Sequence, residues 1–264
     1  MKRHISTILV FFIISIASSQ VLRIDHKELG KDTLKGWHGD FEVDFLLNNL
    51  GSSADQESTY LGFRVISNAS HFSSLHQYYF KNELRYYKAG GNEFLNRGYG
   101  YFRANWNRKR DIHPESVAQV QFDNIRHLDL RWLVLQGIKA AFVKNEEHEL
   151  DLGVGVMYEH ERWSDFSREN LGITKNLLKF SSYLGWYTDI NDHIYISMLS
   201  YYQVGFDRKD DLFRHRINGS IEITDKITDR LAWVVRFQLQ YESDPIVPVA
   251  PLIYELMNGI KWTI

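Results

Sequence analysis

The 264-residue chain contains no cysteine, only four prolines and almost no net charge, −2 at pH 7. Without cysteine there are no disulfides, no thiol chemistry, no cysteine-ligated cluster and no lipid-modified cysteine. A near-neutral balance, with a pI near 6.6, argues against a nucleic-acid binder, which would usually show a basic stripe. Also missing is any apolar run of roughly 20 residues, the length a membrane helix needs. A mean hydropathy of −0.35 agrees with that absence, but it leaves a membrane β-barrel open, since every second residue of a barrel strand can be polar. The sequence is instead rich in aromatics, with 7 Trp, 15 Tyr and 16 Phe.

The N-terminus reads as an export signal. Lys2, Arg3 and His4 precede an apolar run from Ile8 to Ile16, and Ala17, Ser18 and Ser19 supply small residues for cleavage. Residues 1–19 are expected to be a signal peptide, 20–33 a short polar leader in the periplasm, and 34–264 one membrane β-barrel domain.

From Leu34 onward apolar and polar residues alternate over long stretches, each closed by a polar turn. The pattern is clear where Trp233, Val235, Phe237, Leu239 and Tyr241 oppose Val234, Arg236, Gln238, Gln240 and Glu242. It recurs where Leu150, Leu152, Val154, Val156 and Tyr158 oppose Glu149, Asp151, Gly153, Gly155, Met157, Glu159 and Glu161. Side chains of a strand point alternately to its two faces, so each stretch has one apolar and one polar face. A helical period would scatter the same residues around a cylinder.

Twelve strands are predicted, at roughly 36–48, 58–68, 76–87, 94–106, 116–124, 129–143, 148–163, 175–188, 193–204, 212–224, 231–243 and 253–264. Pro114, Pro245, Pro248 and Pro251 fall between them, where no ladder N–H is needed. These spans exceed the five or six residues usual in soluble sheets and suit tilted membrane-spanning strands of about 9–11. The fold class expected is all-β, a transmembrane antiparallel up-and-down β-barrel of about 12 strands.

The order His127-Leu128-Asp129-Leu130-Arg131-Trp132, Gly153-Val154-Gly155-Val156-Met157-Tyr158-Glu159-His160-Glu161, Tyr241-Glu242-Ser243-Asp244-Pro245 and Asn258-Gly259-Ile260-Lys261-Trp262 resembles the DUF481 family. Its members are often labelled salt-induced outer membrane proteins. The resemblance covers roughly residues 35–264 and implies an outer-membrane barrel of a diderm bacterium with no established activity, cofactor or ligand. Outer-membrane barrels often end in Phe or Trp, whereas this chain ends Trp262-Thr263-Ile264.

Parity assigns the candidate lumen charges: Glu42, Asp44, Lys81, Glu83, Arg85, Arg131, Lys139, Glu149, Asp151, Glu159, Glu161, Arg214, Arg216, Arg236, Glu242 and Lys261. Such a face either passes small polar solutes or fills itself with mutually neutralising pairs. Inward glycines such as Gly137, Gly153 and Gly155 favour crowding over a wide pore. Trp37, Trp163, Trp186, Tyr241 and Trp262 are candidates for interfacial aromatic girdles.

Catalytic signals are weak. His71 and Ser73 have the two-residue spacing of a base and nucleophile on one strand face, but they lie in a polar connection typical of turns. Glu146, Glu147, His148 and Glu149 cluster at a turn without metal-site spacing. No catalytic residue, metal or cofactor is assigned. The expected partners are outer-membrane lipid, the barrel-assembly machinery during insertion and a possible small polar solute. A narrow channel, a His-x-Ser lipid hydrolase and a soluble periplasmic barrel are the alternatives.

Overall fold

The computed structural model describes residues 35–51, 57–89, 92–145, 147–165, 171–228 and 231–262. The expected signal peptide and leader lie outside them. Twelve strands follow one another: β1 (Gly36–Gly51), β2 (Glu57–Phe72), β3 (Gln77–Ala89), β4 (Asn92–Asn105), β5 (Ile112–Asp123) and β6 (Leu128–Lys144), then β7 (His148–Asp165), β8 (Leu171–Asp189), β9 (Ile194–Asp207), β10 (Leu212–Lys226), β11 (Leu231–Glu242) and β12 (Leu252–Trp262). They form one sheet in sequence order, and every neighbouring pair is antiparallel. β12 does not pair with β1 among the described residues.

Side chains on one face join strands far apart in that order, so the sheet curls around an interior. Arg103 on β4 donates to the Tyr201 hydroxyl on β9 at 2.9 Å. Tyr183 on β8 donates to Glu115 on β5 at 3.0 Å. Arg126, in the β5–β6 turn, reaches Glu242 on β11 at 3.0 Å. With an even number of strands, β1 starts and β12 ends at the same rim. That rim is termed lower here, and the opposite one upper.

The long alternations set the strands. β7 and β8 reach 18 and 19 residues, longer than the sequence spans, because their ladder continues to Asp165↔Leu171. Local register shifts occur near Gln121/Asp123, Leu128/Leu130 and Ala141/Val143, each absorbing an extra residue as a β-bulge does.

Pro114 corrects the expectation that all four prolines lie between strands, since it falls inside β5, opposite Ile138. Its carbonyl accepts a hydrogen bond from the Trp106 N–H at 2.9 Å. Its nitrogen therefore faces the end of β4, where the strand pairing stops at Asn105↔Glu115, and no interior ladder bond is lost. The other three prolines occupy the β11–β12 connection.

Gly153 shows how tightly the interior is packed. The Tyr183 ring from β8 lies across it, and a Cβ at this position would fall 1.9 Å from ring carbon Cε1. A side chain there would displace the tyrosine from Glu115.

Candidate functional site

The enclosed face of the sheet is the candidate site, and it divides into ion-pair groups stacked along the lumen. The central group joins β6, β7, β8, β10 and β11. Arg216 donates to Glu159 at 2.7 Å, to Glu161 at 2.8 Å and to Glu242 at 2.6 Å. Arg131 and Lys179 also pair with Glu159, and Arg131 lies 3.4 Å from Glu161. Three carboxylates thus meet Arg126, Arg131, Arg216 and Lys179 in a buried network. Charges can remain buried this way because each finds an opposite partner within hydrogen-bonding reach.

Toward the lower rim, Lys139 pairs with Asp151 and, at 3.6 Å, with Glu149. Arg236 pairs with Glu222. Near the upper rim, Lys175 contacts Asp207 and Asp210, both at 2.7 Å, and Arg214 contacts the same two carboxylates. The Lys175 hydrogen bond holds the Asp210 carboxyl, in the β9–β10 turn, below its ordinary value of 3.8. On β3, Arg85 pairs with Glu83, and Lys81 lies over the Tyr99 ring at 5.7 Å.

Between these groups lies a cavity of about 60 Å³, lined by Tyr101, Arg103, Glu115, Met157, Tyr183 and Tyr201 among others. Gln203 also lines it, and its side-chain oxygen has no protein partner among the described residues. Polar and apolar side chains line the space about equally, and it is large enough for a few water molecules.

Thirteen of the charges expected in the lumen can thus be placed on this face: Lys81, Glu83, Arg85, Arg131, Lys139, Glu149, Asp151, Glu159, Glu161, Arg214, Arg216, Arg236 and Glu242. Glu42 and Asp44 lie on β1 and Lys261 on β12, but their side chains are outside the described ones. Sequence reasoning missed Arg97, Arg103, Glu115 and Arg126, all buried. In β4 the signal was present, because Arg97, Tyr99, Tyr101, Arg103 and Asn105 keep a strict period of two. The tyrosines among them masked it by reading as apolar.

On the outer face, Trp37 is 67% exposed and Trp186 and Tyr241 are partly exposed. The side chain of Trp262 is outside the described ones. Trp163 corrects the girdle assignment: it is 1% exposed and packs inside the barrel against Leu128 and Val247. Its odd position on β7 gives it the parity of Glu159 and Glu161, and strand parity overrides its nearness to the strand end.

The catalytic and metal alternatives are not assembled. Ser73 Oγ accepts from the His76 N–H at 2.8 Å and donates to the His76 carbonyl at 3.1 Å, which closes the β2–β3 turn. His71 instead stacks on Tyr78 and meets the Trp37 ring at a tilt. Glu149 turns into the lumen toward Lys139, while His148 bonds Thr188 at 2.7 Å. Glu146 is outside the described residues, and no group of three metal-ligating side chains occurs among those described.

Among solved structures, the chain is similar to the NanC porin, at 9% identity and a TM-score of 0.47, covering 77% of this chain and 94% of that one. It is also similar to the β domain of the Bordetella autotransporter BrkA, at 10% identity and a TM-score of 0.38, covering 86% and 97%. No curated protein matches the chain. The family described as "Protein of unknown function, DUF481" matches residues 51–246, well over half of the sequence, and the chain belongs to that family.

Proposed function

We propose that the protein is an outer-membrane β-barrel whose lumen is filled by its own side chains, an envelope component without catalytic activity. The observation that carries this reading is Arg216, which leaves β10 to bond Glu159 and Glu161 on β7. A water-filled pore would leave these walls apart; here they are joined by hydrogen-bonded charges.

The outer face supports membrane placement. Val134, Ile138, Val154, Val156, Leu178 and Phe180 are exposed and adjoin one another across β6, β7 and β8, a contiguous apolar surface of the kind that marks a membrane or partner contact. Along β6, Trp132 and Phe142 are exposed and ten residues apart. At about 3.3 Å per residue and a tilt of about 45°, they stand roughly 23 Å apart along the membrane normal. That is close to the apolar band of about 25 Å found on outer-membrane barrels.

Expression of the full chain in a diderm host tests the reading. It expects fractionation with the outer membrane and heat-modifiable gel migration. A monodisperse protein in detergent-free buffer contradicts it. A narrow path or binding barrel for small polar solutes is the second reading, and it draws on the cavity beside the unpartnered Gln203 side-chain oxygen.

A further inference from the structure

The connection between β11 and β12, residues 243–251, does not stand clear of the barrel. Val247 is 2% exposed and packs with Leu128 and Trp163, with Ile173 against the same cluster. Leu128 begins β6, Trp163 lies near the end of β7 and Ile173 near the start of β8, so all three sit at the upper rim. Trp163 and Ile173 share the inward parity of Glu161 and Lys175, whereas the segment leaves the barrel from β11. To reach its seat it must pass over the mouth of the lumen.

Polar contacts hold its base. Ser243 donates its N–H to the His215 carbonyl at 3.0 Å, and its hydroxyl accepts from the His215 N–H at 3.1 Å. Arg214 donates to the Asp244 carbonyl, and the Glu242 N–H bonds the Pro251 carbonyl at 2.8 Å. Below the tip, Arg126 lies over the Trp163 ring at 5.9 Å and pairs with Glu242. Pro245, Pro248 and Pro251 fix φ along the segment, which makes it a stiff prong with little entropy to lose on seating. Its apolar tip enters a wall otherwise lined with charge.

We propose that residues 243–251 form a lid over the upper mouth of the lumen, seated by Val247, and that solute or water reaches the lumen from this rim only when the lid lifts. This rests on the closed-lumen reading for what the lid guards. The experiment below reads the lid's position whether or not the barrel conducts.

Because the chain has no native cysteine, introduced thiols report alone. In the folded full-length protein, Ile173→Cys with Val247→Cys should be joined as a disulfide under mild oxidation, since the two side chains belong to one packed cluster. Failure to cross-link overturns the lid's placement. Separately, Leu128→Cys should react slowly with a water-soluble maleimide. Adding Val247→Ser should speed that reaction about tenfold or more, the factor expected from losing a buried valine side chain. An unchanged rate in a folded Val247→Ser protein overturns the lid as a moving part. If that variant does not fold, cross-linking of the cysteine pair still decides the placement, and the milder Val247→Ala decides the motion by the rate it adds to labelling of Leu128→Cys. Fast labelling of Leu128→Cys alone means that the mouth stands open and contradicts the proposal.

Discussion

Arg216 Nη2 on β10 lies 2.8 Å from Glu161 Oε1 on β7, with both side chains more than nine-tenths buried. The contact spans strands that are three places apart in the sheet, and Glu159 and Glu242 complete the coordination of the same guanidinium. Removing one member of such a network leaves the others buried and uncompensated. Arg216→Ala should therefore destabilise the barrel by about 3–5 kcal/mol, read as a lower urea midpoint in detergent or vesicles. Arg216→Lys keeps the charge but not the three-way fork, so it should fall between the wild type and Arg216→Ala.

Gly153→Ala should cost about 1–3 kcal/mol through overpacking, because the added methyl meets the Tyr183 ring. Combining it with Tyr183→Ala should recover part of that loss, since the clash is gone. A double-mutant cycle on thermal unfolding checks the coupling.

The outer face supplies a test of its surroundings. Val156 on β7 is 55% exposed near the middle of the apolar band. Facing lipid, Val156→Arg should cost about 2–4 kcal/mol of folding into vesicles. Facing water, the same change should stay within about 0.5 kcal/mol.

Asp210 supplies a pH dependence. Its hydrogen bond from Lys175 holds its folded pKa below the ordinary 3.8, so the carboxylate stabilises the folded state above that value. The contribution shrinks as pH falls below about 4 and through the lower folded pKa. Comparing wild type with Asp210→Asn should show a constant stability gap from pH 7 to about 5 that narrows in stronger acid.

The strands and their two faces were legible wherever alternation was clean. In β7 and β11 the period of two sorts the lumen face from the outer face residue by residue, because a strand offers no third direction. Trp163 went astray when its place near a strand end was weighed above its parity. Pro114 was misplaced because a proline is tolerated in a strand whose nitrogen faces past a neighbour's end, and that depends on pairing offsets the sequence does not display. The ion-pair partners and the lid were illegible for a deeper reason. Arg126 meets Glu242, and Val247 meets Trp163, only after the sheet has curled. No local pattern in 243–251 announces which wall of the barrel its tip will reach.

The most direct test of the central account is planar-bilayer conductance of the full-length barrel, with insertion verified by protease protection. The account predicts a bilayer that stays electrically silent although the barrel is inserted, because the Arg216–Glu159–Glu161 bridge and the seated Val247 lid block the lumen. A steady, ohmic, porin-sized conductance from the wild-type protein would contradict it.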